Sequence, residues 1–94
     1  MKCQFWIHAA NDYVGVAVED IPDGKSVTGV YMDSEKTMQV KSRSNIPLGH
    51  KISVRDIKKG EHIVEYGEVI GEATKKIRAG DHVHIHNLKT LRWS

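Results

Sequence analysis

Three histidines near the end of the chain alternate with aliphatic residues, because His82, His84 and His86 are separated by Val83 and Ile85. Side chains two residues apart in a β-strand point to the same face, so the pattern predicts that the three imidazoles project together while Val83 and Ile85 face the core. Two such imidazoles could share a metal ion or hold one ligand, and histidine also suits acid–base catalysis near neutral pH. An exposed strand whose histidines have no function would show the same alternation.

A second set of candidate residues stands beside glycines or at the end of the histidine strand. His50 and Lys51 follow Gly49 directly and could supply a base and a positive charge for a carboxylate, although a surface loop would also carry them. Tyr66 precedes a glycine, and packing of its ring in the core is the alternative to a role for its hydroxyl. Asn87 adds a hydrogen-bond donor and acceptor where the histidine strand ends.

The elements that position these side chains are marked by the motif Ile-x-x-Gly. In each copy the isoleucine is expected to be the last buried side chain, and the glycine can take the positive φ that ends a turn before a strand begins. The motif predicts a mainly β fold of short strands joined by tight turns. Its four copies lie within residues 20–24, 45–49, 56–60 and 76–80.

Alternating or β-branched runs between these turns predict the strands. We expect a bulge or a close backbone approach at Gly15, a second sharp reversal across Gly67 and Gly71, and at most one short helical turn after Ile52. The clearest predicted strands cover residues 5–8, 14–18, 26–32, 37–42 and 82–86.

Composition narrows the class of protein. A chain of 94 residues has room for one domain. Its 14 Lys and Arg against 12 Asp and Glu give a net charge of +2 without a clustered basic patch, so nucleic-acid binding is not expected. The single cysteine, Cys3, excludes an internal disulfide. No apolar run approaches the roughly 20 residues of a membrane helix, so we expect a cytoplasmic protein.

Several segments together resemble a known family. Residues 45–61 resemble the SAF domain, which has a β-clip fold. More narrowly, residues 46–51, 65–71 and 80–89 are similar to the N-terminal domain of altronate and galactarate dehydratases and to the small subunit of sulfolactate sulfo-lyase, and residues 11–18 fit as well. The resemblance covers nearly the whole chain and implies a single SAF domain over residues 1–94.

The resemblance implies the small subunit of a lyase whose active site is completed by a separate large subunit. Such enzymes eliminate water from sugar acids or sulfite from sulfolactate, and yield a 2-oxo acid. It also implies a divalent metal ion, Fe²⁺ in particular, held mainly by the large subunit, with no metal ligand assigned in this chain. Carried over by position, the motif residues are His50, His84 and His86 as catalytic groups and Lys51, Tyr66 and Asn87 as substrate-binding groups. His82 occupies a position where the resemblance is weaker.

A non-catalytic SAF-domain module that binds carbohydrate or protein is the main alternative. It would need a complementary surface but no group of histidines and no lyase partner. The sequence also leaves open the 2-hydroxy acid used, the leaving group and the role of each histidine. Exposed strand edges would allow a homo-oligomer.

Overall fold

The computed structural model describes residues 3–91, and within them all regular secondary structure is β. The six strands of the larger sheet follow the order β4-β3-β1-β2-β5-β8, and the smaller sheet has the order β6-β7-β9. The β1–β3 pair is parallel, and the other strand pairs are antiparallel. The strands are Phe5–Ile7 (β1), Val14–Ala17 (β2), Ser26–Tyr31 (β3), Thr37–Lys41 (β4), Lys51–Ser53 (β5), His62–Glu65 (β6), Glu68–Ala73 (β7), His82–Val83 (β8) and Leu88–Lys89 (β9).

This architecture confirms the predicted mainly β fold of the SAF type. The short helical turn after Ile52 does not form, since Ile57 is instead held in an isolated β-bridge. The described part of the chain contains no helix that could cross a membrane.

The apolar interior consists of two clusters that lie on opposite sides of β2. Val14 belongs to one cluster and Ala17 to the other, because residues three apart in a strand point to opposite faces. The first cluster is built around Phe5 and Ile7, and the second around Ile63 and Val83. Each cluster also receives two isoleucines of the Ile-x-x-Gly motif: Ile21 and Ile46 in the first, Ile57 and Ile77 in the second.

The four motif turns are joined in pairs. Ile21 bridges Ile46 and Ile57 bridges Ile77, and in each pair both backbone N–H groups donate to the partner's carbonyl at 2.8–2.9 Å. All four isoleucines are buried, and the four motif glycines have φ between 82° and 94°. The predicted turns are therefore confirmed, and their pairing is what unites segments distant in sequence.

Side chains at the residue before the isoleucine strengthen this pairing. Their oxygens accept hydrogen bonds from the backbone N–H that precedes the glycine of the partner turn, and so satisfy donors that the turn itself leaves unpaired. Lys76, at this position of the fourth copy, has no acceptor to offer. The bonds run from Leu48 N to Asp20 Oδ1 (2.8 Å), from Asp23 N to Asn45 Oδ1 (2.9 Å) and from Ala79 N to Asp56 Oδ1 (3.0 Å).

Two other glycines were expected to shape the backbone. Gly15 does mark a close approach, because a Cβ there would lie 2.8 Å from the Phe5 ring and from the Trp6 carbonyl oxygen. The expected reversal does occur, at Gly67, whereas Gly71 takes no part in it because β7 runs straight through that residue. The backbone of β9 packs closely against Gly71, and a Cβ at this position would lie 2.6 Å from the Lys89 carbonyl oxygen. The close packing therefore requires glycine here.

We expect Gly80→Ala to destabilise the protein more than Gly24→Ala, as measured by urea unfolding. Both glycines have positive φ (94° and 82°), so each substitution carries the left-handed penalty of about 1–2 kcal/mol. Only at Gly80 would the new Cβ also collide with the Lys41 carbonyl, whereas nothing lies within 4 Å at Gly24. Equal losses of unfolding free energy would contradict the close packing of the fourth turn.

Candidate functional site

The antiparallel pairing of β5 and β8 brings His50 next to His82 and His84. Lys51 pairs with Val83 and Ile52 with His82, so the same register sets His50, just before β5, opposite His84, just after β8. The rings of His50 and His84 are stacked with centroids 4.7 Å apart, and Nδ1 of His50 lies 2.9 Å from Nε2 of His82. This hydrogen bond requires one ring nitrogen to carry the hydrogen and the other to offer its lone pair.

His82 lies at the centre of the group of imidazoles. Its ring centroid is 5.4 Å from that of His84 and 5.3 Å from that of His86. Burial lowers the pKa of the His82 imidazole, and positive charge on its neighbours His50, His86 and His84 would lower it further. His82, the motif histidine for which the resemblance is weakest, thus lies in the middle of the cluster, where burial and its neighbours disfavour its charged form.

The histidines meet through a turn and not along one long strand. β8 ends at Val83, and residues 84–87 form a turn that leaves Ile85 83% exposed. Val83 is buried as expected, but the prediction that Ile85 faces the core is wrong. The chain turns away because the Asn87 amide fits into the bend: its Oδ1 accepts from His84 N (3.0 Å) and its Nδ2 donates to His82 O (2.8 Å).

Asn87 is therefore a buried structural residue of the histidine turn, with 3% of its surface exposed. Both polar ends of its amide are engaged by the backbone of that turn. Its role in orienting a substrate hydroxyl stays a prediction.

A cavity of about 400 Å³ opens beside the histidines. Its polar side carries the predicted site residues His50, Lys51 and His84, which the fold brings together from two strands. The lining also includes the apolar side chains of Ile70, Val83, Ile85 and Leu88. The cavity can therefore hold a small anionic molecule between imidazoles, an ammonium group and an apolar surface.

Glu65 also lines this cavity and was missed as a site residue. It is only 7% exposed, its Oε1 lies 3.7 Å from Nζ of Lys51, and burial raises the pKa of its carboxyl while the Lys51 charge opposes part of that rise. The signal in the sequence was alternation: in β6, Ile63 and Glu65 point to the same buried face, where an acid is unusual. A carboxyl with a raised pKa in a cleft is suited to proton transfer.

Tyr66 and His86 are not among the described residues that line the cavity. Tyr66 has a φ of 57°, and its N–H is shared between both carboxylate oxygens of the buried Asp12 at 3.1 Å. Its ring is 58% exposed and lies 4.2 Å from the ring of His8. A bulky residue in the left-handed region is strained, and Asp12 holds it there next to Glu65.

The histidine cluster fits a divalent transition metal. One nitrogen from each of His50, His82 and His84 lies within 4.8 Å of the other two, and within residues 3–91 no second group of His, Cys, Asp or Glu meets this condition. Imidazole nitrogen is a donor that zinc, iron, nickel and copper accept.

A sequence model of the altronate/galactarate dehydratase SAF domain matches residues 3–91. The chain belongs to this family. Among its relatives, the (2R)-sulfolactate sulfo-lyase subunit alpha of Chromohalobacter salexigens is 43% identical over 94 residues, which cover 99% of this chain and 100% of that subunit. The altronate dehydratase of Escherichia coli is 42% identical over 84 residues, 89% of this chain but 16% of that enzyme. The Paracoccus pantotrophus sulfo-lyase subunit alpha is 34% identical over 64 residues, 68% of this chain and 96% of that subunit.

We expect Glu65→Gln to gain stability relative to the wild type as pH rises from about 4 to about 7. Burial raises the folded-state pKa of Glu65, so its contribution to stability is complete below the unfolded pKa and is lost as pH rises through the folded pKa. Urea unfolding of both proteins at several pH values measures the difference in unfolding free energy. Glu68→Gln, which removes an exposed carboxylate from β7, controls for net charge. If Glu65→Gln instead lost stability relative to the wild type as pH rises, ion pairing of Glu65 with Lys51 would outweigh the effect of burial.

Proposed function

We propose that this chain is the small subunit of a two-chain lyase that converts a 2-hydroxy acid to a 2-oxo acid by β-elimination. The observation that carries the proposal is the cavity in which His50, His84 and the Lys51–Glu65 pair meet. Membership in the SAF family of altronate and galactarate dehydratases supports it, as does similarity to sulfo-lyase alpha subunits along nearly their whole length. A large subunit completes the active site.

The reaction needs groups that this cavity can offer. A base takes the proton from C2, its electron pair forms the C2=C3 bond, and the bond from C3 to the leaving group breaks. Sulfite departs as such, whereas a hydroxyl needs a proton to leave as water. The resulting enol then takes a proton at C3 and loses the proton of its C2 hydroxyl to become the 2-oxo acid. In our proposal His50, His84 and His86 serve as acid, base or hydrogen-bonding groups.

Lys51 binds the substrate carboxylate in this proposal. Its ammonium lies 3.7 Å from Glu65 in a partly buried position, where an ion pair is screened less than at the surface. A substrate carboxylate at the same ammonium would be neutralised as the C2 proton leaves, which stabilises the negative charge that develops. Tyr66 and Asn87 stay predicted substrate-binding residues, although neither is among the described residues that line the cavity and the Asn87 amide is already engaged by the histidine turn.

We propose Fe²⁺ as the cofactor, held mainly by the large subunit. When bound, such an ion would polarise the carboxylate and hydroxyl oxygens of the substrate. On this chain, His50, His82 and His84 are the residues that could contact it.

We propose (2R)-sulfolactate as the first substrate to test and altronate as the second. The relative that matches the chain over the greater length is a (2R)-sulfolactate sulfo-lyase subunit. A cytoplasmic location, a single domain over residues 1–94 and a homo-oligomer stay predictions.

The proposal is tested by co-expression with a neighbouring large chain that resembles the rest of altronate dehydratase. Under anaerobic conditions with Fe²⁺, we expect pyruvate and sulfite from (2R)-sulfolactate only when both chains are present. Altronate and galactarate, assayed for 2-oxo acid, test the second reaction class, and each chain alone is the control. A stable complex that forms no product from any of the three would favour the non-catalytic binding module.

We expect His84→Ala to lower kcat of that complex at least about 100-fold, because a positioned acid–base group typically contributes this much. His62→Ala is the matched control: His62 is an exposed histidine of β6, 3.9 Å from Glu72 and outside the cavity. Steady-state kinetics of the two variants give the comparison. Equal rates for both would remove His84 from the active site.

A further inference from the structure

We propose that His50, His82 and His84 bind one divalent transition-metal ion within this chain alone, before any partner contributes a ligand. This goes beyond the proposed function, since it concerns the isolated chain and does not depend on a lyase activity. It assigns to the small subunit a metal site that the resemblance left unassigned. With the ion bound, His50 and His84 would serve as its ligands, and the acid–base role in the lyase would fall to His86.

The position of His82 is the first argument. His50 and His84 line the cavity, but His82 is partly buried and is not among the described lining residues. Contact with a substrate in the cavity therefore explains His50 and His84 but not His82. A shared ion explains all three, because the ligand nitrogens of the three rings lie within 4.8 Å of one another.

The spacing of the donors is the second argument. Two nitrogens bound to one ion at about 2.0–2.1 Å, with an angle of roughly 90–110° between them, lie roughly 2.8–3.4 Å apart. Nδ1 of His50 and Nε2 of His82, which share a hydrogen bond, already lie 2.9 Å apart, so an ion could take the place of the shared hydrogen. The third ligand, His84, is exposed and can turn its ring toward this pair without disturbing the core.

The backbone that carries these ligands is already fixed, which is the third argument. His50 N donates to Pro47 O at 2.9 Å, and His82 N donates to Ser44 Oγ at 3.0 Å. His84 N is held by the Asn87 amide. An ion that binds here immobilises few rotatable bonds, so the loss of conformational entropy on binding is small.

The chemistry of the donors selects the class of ion. Three imidazole nitrogens without a carboxylate or thiolate suit Zn²⁺, Co²⁺, Ni²⁺ or Fe²⁺. Mg²⁺ and Ca²⁺ need oxygen ligands and should bind weakly.

The test is titration of the purified, tag-free and chelator-treated chain with Co²⁺, followed by calorimetry and by the visible absorption of the bound ion. We expect one ion per chain and no comparable heat with Mg²⁺. His82→Gln should weaken Co²⁺ binding at least about tenfold, since loss of even a supporting residue costs a metal site 10–100-fold. His62→Gln should bind as the wild type does, and Cys3→Ser excludes the single thiol as the ligand.

Nuclear magnetic resonance gives a readout that needs no variant to fold. With Zn²⁺, we expect the ring nitrogen resonances of His50, His82 and His84 to shift while those of His8 and His62 stay unchanged. Absence of binding, binding that His82→Gln leaves unaltered, or shifts confined to His8 and His62 would overturn the proposal. No substrate or partner enters either measurement, so their outcome is separate from that of the lyase assay.

Discussion

The reciprocal hydrogen bonds between paired isoleucines are the constraint on which the rest of the structure depends. Ile21 with Ile46, and Ile57 with Ile77, anchor four turns that would otherwise be independent surface loops. In every copy a strand begins two residues after the motif glycine: β3, β5, β6 and β8 all start in this way. The candidate site uses two of these turns, since Gly49 leads into His50 and β5, and Gly80 leads into β8 and the histidines. Its geometry therefore depends on the Ile21–Ile46 and Ile57–Ile77 pairs that anchor those turns.

The sequence alone predicts those features of the fold that depend on neighbouring residues. A motif glycine and the alternating pattern after it both lie within about ten residues of sequence, so the turns and most strands were predictable. The pairing of the turns was not, because nothing near Ile57 specifies Ile77 as its partner. The error at Ile85 has a different cause, which is local. Alternation placed Ile85 in the core, but the Asn87 amide, a contact across three residues that ends β8, turns that side chain outward.

Burial shifts the pKa values of an imidazole and a carboxyl group near the cavity in opposite directions, and both shifts favour the neutral form. It lowers the pKa of His82 and raises that of Glu65, so both groups are shifted toward their neutral forms. Such an environment opposes isolated charge, and an anion that enters it gains from Lys51 more than it would at an open surface. This is the electrostatic setting that proton transfer next to a carboxylate requires.

Residues that do not help the fold indicate where its function lies. The core is complete with aliphatic residues and Phe5, and the turns need only isoleucine, glycine and an acceptor oxygen. By contrast, a buried Glu65, a strained Tyr66 and several adjacent imidazoles each oppose stability, through desolvation, backbone strain or repulsion on protonation. A binding module that relied on shape alone would have no need of them. Their concentration around β5, β6 and β8 is what a catalytic or metal-binding role would explain.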